Sequence, residues 1–216
     1  LPPSDVMRRL PTLRSRGLKG GILYHDAQFD DARLAIDLAR KIWRLNGVVA
    51  NYVEVVSLIK AGGKVAGAAV RDVLSGLVYE VPARVTINAT GAFADHIRRL
   101  DDASAPPLVA ASQGAHIVLD SSFLPSGDAL MIPKTEDGRV LFAIPWLNRL
   151  LIGTTDVTVK EVPLEPVPFA EEIDFLLRHA ASYLTHAPER SDILSAFAGI
   201  RPLVSAKPGP TSALSR

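Results

Sequence analysis

The sequence contains no cysteine in its 216 residues. This absence excludes disulfide bonds, thiolate metal sites and a cysteine nucleophile, and it fits a reducing compartment such as the cytoplasm. The sequence also lacks any apolar run near the roughly 18 residues that cross a bilayer. Basic and acidic residues nearly balance, with 24 of the first and 23 of the second, for a formal net charge of +1. No overall field therefore favours binding to nucleic acid or to an acidic membrane surface.

The composition is that of an ordinary globular protein, with 48% hydrophobic and 22% charged residues. Residues 1–19 mix five basic residues with prolines and a glycine, which predicts a solvated, linker-like segment. The chain begins without Met and lacks the basic and apolar regions of a signal peptide. We therefore expect an internal fragment of a longer protein.

The first half of the chain reads as α/β. A capping Asp30 or Asp31 is followed by apolar residues at spacings of three and four, which predicts a helix over 31–46. Four short valine-rich or alternating segments follow, and the last three of them predict an antiparallel meander. The four segments are 48–51, 53–58, 65–72 and 77–81. A strand over 85–88 should then turn through Gly91 into a helix.

A polar, proline-containing stretch at 101–107 separates this half from a mostly antiparallel α+β half. We expect one domain over 20–102 and a second over 103–216. A helix is predicted over 170–184. The strands predicted in the second half are 109–111, 116–119, 130–133, 140–145, 150–153 and 193–197.

Six short segments occur in an order and at spacings that are informative together, although each segment alone is weak evidence for a family. They are Gly20–Leu34, Val85–Gly91, Gly114–Val118, Phe142–Trp146, Ile152–Asp156 and Ala198–Leu203. In this arrangement the chain resembles the FAD-dependent glycerol-3-phosphate dehydrogenases of the D-amino-acid-oxidase-like flavoprotein superfamily. The resemblance covers residues 20–216 and implies part of a Rossmann-like FAD-binding domain followed by a mostly antiparallel substrate domain.

His116 is the candidate catalytic base. Removing a hydride from a secondary alcohol requires a base for the hydroxyl proton, and an imidazole can serve near neutral pH. A lone histidine at a strand is more often structural, but the resemblance assigns the base role to this position. Gly153-Thr154-Thr155-Asp156 is a further family marker to which we assign no role.

Arg201 and Arg216 are the candidate substrate-binding residues. Arg201 lies two residues after Gly199 and directly before Pro202, and its planar guanidinium matches the oxygens of a phosphate ester. The alternative for Arg201 is a surface ion pair. The resemblance implies that Arg201 helps to hold the substrate phosphate and that Arg216 is the second arginine of the pair.

Four residues are candidates for contact with FAD. A strand that turns through glycine into a helix offers backbone N–H groups to an anion, as in the segment Ala89-Thr90-Gly91. The resemblance also implies that the backbone near Val55 lies against the adenine. Two family features are absent from the chain, the glycine-rich dinucleotide fingerprint and a C-terminal Gly-Gly-Lys segment, which is why we expect the chain alone to be inactive and not to retain FAD.

The activity implied by the resemblance is oxidation of sn-glycerol 3-phosphate to dihydroxyacetone phosphate, with quinone or oxygen as electron acceptor. Quinone would place the whole protein at the inner face of the cell membrane. Unpaired sheet edges are compatible with homo-oligomerisation. The histidines are scattered without the spacing of metal ligands, so we predict no metal site. Two alternatives remain: a flavin-dependent amine or amino-acid oxidase of the same superfamily, and a non-catalytic interaction module.

Overall fold

The structure is a computed structural model that describes residues 1–133, 135 and 138–204. The chain divides into two compact units, one formed by residues 1–23, 91–93 and those from 107 onward, the other by 24–90 and 94–106. The helices are α1 (Pro3–Arg9), α2 (Asp31–Arg44), α3 (Ala94–Asp101) and α4 (Ala170–Tyr183). The strands are β1 (Val53–Ala61), β2 (Lys64–Asp72), β3 (Val78–Pro82), β4 (Val109–Asp120), β5 (Leu130–Ile132), β6 (Leu141–Trp146), β7 (Arg149–Gly153), β8 (Val157–Thr158) and β9 (Ser195–Val204).

The unit of residues 24–90 and 94–106 is built on the predicted antiparallel meander of β1, β2 and β3. The predicted helix is also confirmed, as α2. Its N-cap is Asp30, whose carboxylate accepts the backbone N–H of Arg33 at 2.8 Å. The helix ends where Asn46 takes a left-handed φ of +62°. The apolar side chains of α2 are exposed, with Ile36 at 54% and Trp43 at 59%.

Two predictions for this unit are wrong. Residues 48–51 and 85–88 form no strand, and Ile87 is 82% exposed. A strand is defined by its hydrogen-bonded partner, and no strand within the described ranges pairs with either segment. Their β-rich composition is therefore not sufficient to make them strands here.

The other unit holds a larger antiparallel sheet in the order β5-β6-β7-β4-β8, with β9 also paired to β4. The long strand β4 is its centre. Along one edge β4 pairs with β9 from Val109 to Val118, and along the other it pairs first with β8 and then with β7. The two strands predicted over 109–111 and 116–119 are thus one strand, because the ladder with β9 continues through the residues between them.

The core of this unit lies between the sheet and α4, the helix predicted over 170–184. Alternate residues of β4 point into it, and Ala115, Ile117 and Leu119 are each 0% exposed. The remaining core residues come from α1, from β5, β6 and β7, from α4, and from the segments that follow α1, β4 and α4. They are Val6, Leu10, Leu13, Phe123, Leu124, Ile132, Leu141, Ala143, Leu150, Ile152, Leu176, Leu177, Ala180 and Leu184.

Residues 1–19 are part of this core rather than a solvated linker. Helix α1 buries Val6, and the segment after it adds Leu10 and Leu13. Arg14 continues the attachment, since its backbone N–H donates to the carbonyl of Tyr183 at 2.8 Å. The basic residues that indicated a linker lie on the exposed side of a segment whose apolar residues face inward.

No helix within the described part of the chain combines the length and the apolar character needed to cross a membrane.

Candidate active site

The face of β4 that points away from α4 carries the candidate site. Because side chains alternate along a strand, Ser112, Gly114 and His116 share this face. Strand β9 lies alongside and places Arg201 opposite Ser112, Gly199 opposite Gly114, and Phe197 opposite His116. Paired residues point to the same side of a sheet, so both predicted site residues, His116 and Arg201, belong to one surface.

His116 is held between an aromatic ring and a glycine. Its imidazole stacks on the ring of Phe197, with a centroid distance of 5.1 Å and an interplanar angle of 11°. On the other side of β4, Gly153 is its partner in the ladder with β7. A β-carbon on Gly153 would lie 2.6 Å from Nε2 and 2.7 Å from Cγ of His116, so the ring occupies the space that any larger residue would need.

Arg201 reaches across Gly114 toward the segment that joins β7 to β8. Its Nη1 donates to the carbonyl of Thr155 at 3.1 Å, and its Nη2 donates to Oγ1 of Thr154 at 2.8 Å. Nη1 also lies 3.7 Å from a carboxylate oxygen of Asp156. A β-carbon on Gly114 would overlap the guanidinium, at 2.7 Å from Cζ.

The glycines explain how two distant residues converge. Arg201 pairs with Ser112, four residues before His116, which is about 13 Å along the strand. Because the guanidinium lies over Gly114, only two residues from His116, the charged end of Arg201 is about 7 Å along the strand from the base of the imidazole side chain. The site therefore combines a cation and an imidazole on one sheet surface.

The segment 154–156 is also held by hydrogen bonds to Ala115, Glu172 and Arg139. The hydroxyl of Thr155 accepts the backbone N–H of Ala115 at 2.7 Å and donates to Glu172 at 2.5 Å. Arg139 donates to the carbonyl of Asp156 at 2.6 Å. These bonds replace the ladder that β4 lacks between its pairings with β7 and β8, so the partners of Arg201 are fixed in place.

The predicted cofactor-binding turn has an organised backbone. Oδ1 of Asn88 accepts the hydroxyl of Thr90 at 2.8 Å and its backbone N–H at 3.3 Å, which makes a local turn. Ala89, Thr90 and Gly91 are exposed, and Gly91 has a left-handed φ of +56° with open space around it. The chain passes from one unit to the other between Thr90 and Gly91.

The predicted residues fall into separate parts of the structure. Gly91 opens a 3-10 turn that contacts β4 and β9, the strands of His116 and Arg201. Ala89, Thr90 and Val55 belong to the other unit, where Val55 is half-buried in β1 and precedes a bulge in its pairing with β2. Arg216 lies outside the described residues.

Sequence reasoning missed several residues of the site. Phe197, Gly114 and Gly153 had no assigned role, and Glu172 was not considered. A glycine inside a strand is the signal that could have identified two of them, because it often marks a close approach by another group. Across the described ranges, no group of three or more His, Asp or Glu residues could hold a metal ion.

Comparison with known proteins identifies the family. The sequence model of the family described as FAD dependent oxidoreductase, DAO, matches residues 1–212. The mitochondrial glycerol-3-phosphate dehydrogenase of Mesocricetus auratus is 40% identical over 225 residues, a match that covers 100% of this chain and 31% of that protein. A mitochondrial glycerol-3-phosphate dehydrogenase of Arabidopsis thaliana is 42% identical over 205 residues, covering 92% of this chain and 32% of that protein.

The fold agrees with these matches. The X-ray structure of the glycerol-3-phosphate dehydrogenase from Bacillus halodurans, complexed with FAD, superposes with a TM-score of 0.89 at 32% identity. This superposition covers 94% of the present chain and 41% of the other. The chain thus spans about a third of the length of the curated relatives it matches. With a family match over nearly its whole length, the chain belongs to the DAO family of FAD-dependent oxidoreductases.

Proposed function

We propose that the whole protein to which this chain belongs oxidises sn-glycerol 3-phosphate to dihydroxyacetone phosphate with FAD as cofactor. The observation that carries the proposal is the position of His116 and Arg201 on one face of the β4–β9 pair, with the guanidinium held over Gly114. An imidazole beside a cation suits a substrate that has both a secondary hydroxyl and a phosphate. The names of the matched relatives support the same substrate.

His116 is the base in this proposal. Oxidation of the alcohol at C2 removes a proton from the hydroxyl and a hydride from the carbon, and the imidazole accepts the proton. The stack with Phe197 and the contact with Gly153 hold the ring in one orientation, as proton transfer in a fixed geometry requires.

Arg201 binds the phosphate in this proposal. A guanidinium carries five N–H donors in a planar fork, so it can hold Thr154 and Thr155 and bind an anion at the same time. These two bonds fix its plane before substrate arrives, which lowers the entropy cost of binding. We assign Arg216 as a second phosphate ligand, as the family resemblance implies.

The residues of the 89–91 turn fit a closely approaching cofactor. Ala89, Thr90 and Gly91 are small and exposed, and a β-carbon on Gly91 would meet no atom within 4 Å. We assign these residues and the backbone at Val55 to the cofactor-binding domain, and the β4–β9 sheet to the substrate domain. The chemistry that FAD supplies when bound is acceptance of the hydride from C2.

The proposal also covers the electron acceptor and the assembly of the whole protein. The acceptor is quinone or oxygen, and mixing the reduced protein with each separates the two. Use of quinone would go with peripheral attachment to the inner face of the cell membrane, which flotation with vesicles measures. Self-association through open sheet edges is measured by analytical ultracentrifugation.

Turnover of the whole protein by variants of Arg201 tests the proposal. Arg201→Lys should raise the KM for glycerol 3-phosphate by about tenfold or more, because lysine cannot present the planar fork. Arg190→Lys is the matched control, since Arg190 pairs with Asp174 on the exposed surface. Turnover of glycine or other amines in place of glycerol 3-phosphate would favour the amine oxidase, and absence of any flavin would favour an interaction module.

A second test uses the 216-residue chain alone. We propose that these 216 residues by themselves neither retain FAD nor turn over substrate, because they contain no glycine-rich pyrophosphate-binding fingerprint. The visible absorption spectrum of the purified chain gives the answer. A flavin spectrum together with turnover would overturn this part of the proposal.

A further inference from the structure

Glu172 is a buried carboxylate that links the N-terminus of α4 to β4 and to the segment between β7 and β8. It lies in the first turn of α4, only 3% exposed. Its oxygens accept Nε2 of Gln113 at 2.7 Å, the hydroxyl of Thr155 at 2.5 Å and the backbone N–H of Phe169 at 2.8 Å. A carboxylate is buried at a cost unless donors satisfy it, so a site with three donors is a specific arrangement.

Thr155 connects this carboxylate to the candidate site. Its hydroxyl donates to Glu172 from one side of the segment, while its carbonyl accepts Nη1 of Arg201 on the other side. The same hydroxyl accepts the N–H of Ala115, so both hydrogen-bonding directions of the group are used. The position of the Thr155 peptide is therefore set from the core, and the guanidinium rests on that peptide.

We propose that Glu172 is a positioning residue for Arg201, acting through Thr155 to set where the substrate phosphate is bound. This inference rests on the proposed function, because it assigns Glu172 to the phosphate-binding side of that same site. Glu172 faces the core side of the sheet with Gln113, so it acts on the guanidinium and not on the substrate itself.

The chemistry of the donors explains why a carboxylate stands at this position. One oxygen of Glu172 accepts two N–H groups and the other accepts the Thr155 hydroxyl. Glutamine has a single acceptor oxygen, and if this faces the two N–H groups, its amide N–H group faces the Thr155 hydroxyl. An amide N–H group cannot accept the proton of that hydroxyl. Thr155 therefore loses the acceptor that the carboxylate provides and keeps only the bond from Ala115, so the segment is held less firmly.

The first test measures turnover of the FAD-loaded whole protein on glycerol 3-phosphate and on glycerol. Glu172→Gln and Thr155→Val should each raise the KM for glycerol 3-phosphate by about tenfold while kcat changes less than about threefold. Turnover of glycerol, which has no phosphate, should change little in both variants. Thr155→Ser keeps the hydroxyl and should retain the wild-type KM, and Glu171→Gln, one residue away and exposed, is the matched control.

The second readout follows Arg201 without using activity. The Nε–H signal of Arg201 in arginine-labelled protein, assigned by its loss in Arg201→Lys, should shift or broaden in Glu172→Gln and Thr155→Val. It should stay in place in Glu171→Gln and Thr155→Ser. Thermal unfolding of each variant identifies any variant that does not fold. If Glu172→Gln does not fold, Thr155→Val takes its place in both measurements.

The results separate the two proposals. If the wild-type protein oxidises glycerol 3-phosphate but Glu172→Gln and Thr155→Val match Glu171→Gln, the inference is wrong and the proposed function stands. An equal loss of turnover on both substrates would also overturn it, because a general structural role affects both alike. If the wild-type protein does not oxidise glycerol 3-phosphate, the proposed function fails, and an unchanged Arg201 signal would overturn the positional link as well.

Discussion

The imidazole of His116 lies over Gly153, its partner on β7, so closely that a β-carbon there would stand 2.6 Å from Nε2. Gly153 therefore lies directly against the ring of the candidate base. Any side chain at this position displaces the ring, since the ring has Phe197 as its other neighbour in the sheet. This relationship makes a strand glycine a test of the proposed chemistry.

Replacing Gly153 with alanine should lower kcat by about 10- to 100-fold, because a small misplacement of a reacting group costs that much. The KM for glycerol 3-phosphate should change much less, since Arg201 rests on Gly114 and on residues 154–155. Steady-state kinetics of the whole protein provide the measurement. Gly127→Ala is the control, as a β-carbon there meets no atom within 4 Å. An unchanged kcat in Gly153→Ala would argue against His116 as the base.

Replacing Gly114 with alanine should affect binding instead. A β-carbon at this position would stand 2.7 Å from Cζ of Arg201 and 2.6 Å from Oγ1 of Thr154, so the guanidinium must move. We expect the KM for glycerol 3-phosphate to rise about tenfold with a smaller change in kcat. If KM and turnover were both those of the wild type, Arg201 would not be the phosphate ligand.

Phe197 should contribute to kcat through its stack on His116. Aromatic pairs are worth about 0.5–1.5 kcal/mol, which corresponds to a kcat lower by about 2- to 13-fold in Phe197→Ala if the ring is needed only to hold the imidazole. Phe197→Tyr keeps the ring and should retain the wild-type kcat. Because Phe197 is 47% exposed, the midpoint of thermal unfolding should move little. A drop in kcat for the tyrosine variant equal to that for alanine would contradict this role.

Asp120 should contribute stability that depends on pH. Its carboxylate accepts the backbone N–H of Ser122 at 2.9 Å, and this bond, followed by one to the Ser122 side chain, lowers the pKa of Asp120 below its ordinary value. A lowered folded-state pKa stabilises the protein above the unfolded-state value, and that stabilisation is lost as pH falls through the folded-state value. The advantage of the wild type over Asp120→Ala in chemical unfolding should therefore shrink in acid.

An NMR titration of the Asp120 carboxyl measures the same effect directly. Ser122→Ala removes only the side-chain bond, so the pKa should move part of the way back toward its ordinary value while the backbone bond keeps the rest. A titration midpoint at or above the ordinary value in the wild type would contradict the prediction.

Ile117 should be among the costly positions for stability. It is 0% exposed in the core between the sheet and α4, so Ile117→Ala should lower the free energy of unfolding by about 2 to 5 kcal/mol. Ile36→Ala in α2, where the side chain is 54% exposed, is the comparison and should cost far less. Urea unfolding of both variants provides the values. Equal costs would mean that Ile117 is not part of a packed core.

Features that depend on neighbours along the chain could be predicted from the order of the residues. A cap at Asp30 or Asp31, the meander of β1 to β3 and the helix α4 follow from local propensity, capping and alternation. The structure has all three, with Asp30 as the cap. The ordered motifs were also sufficient to indicate the family. The family resemblance predicted the roles of His116 and Arg201 before any distance was known, and these roles stay predictions.

Which of these features contact one another depends on how the whole chain folds. Residues 1–19 pack because α4 and the sheet offer them an apolar surface. Strand β4 is one strand because it pairs with β9, whose partner residues lie 77 to 95 positions later in the chain. The contacts of Gly114, Gly153 and Glu172 likewise join segments that are remote in sequence. Local propensity carries no information about such contacts, since they are set by which surfaces the folded chain brings together and what space remains between them.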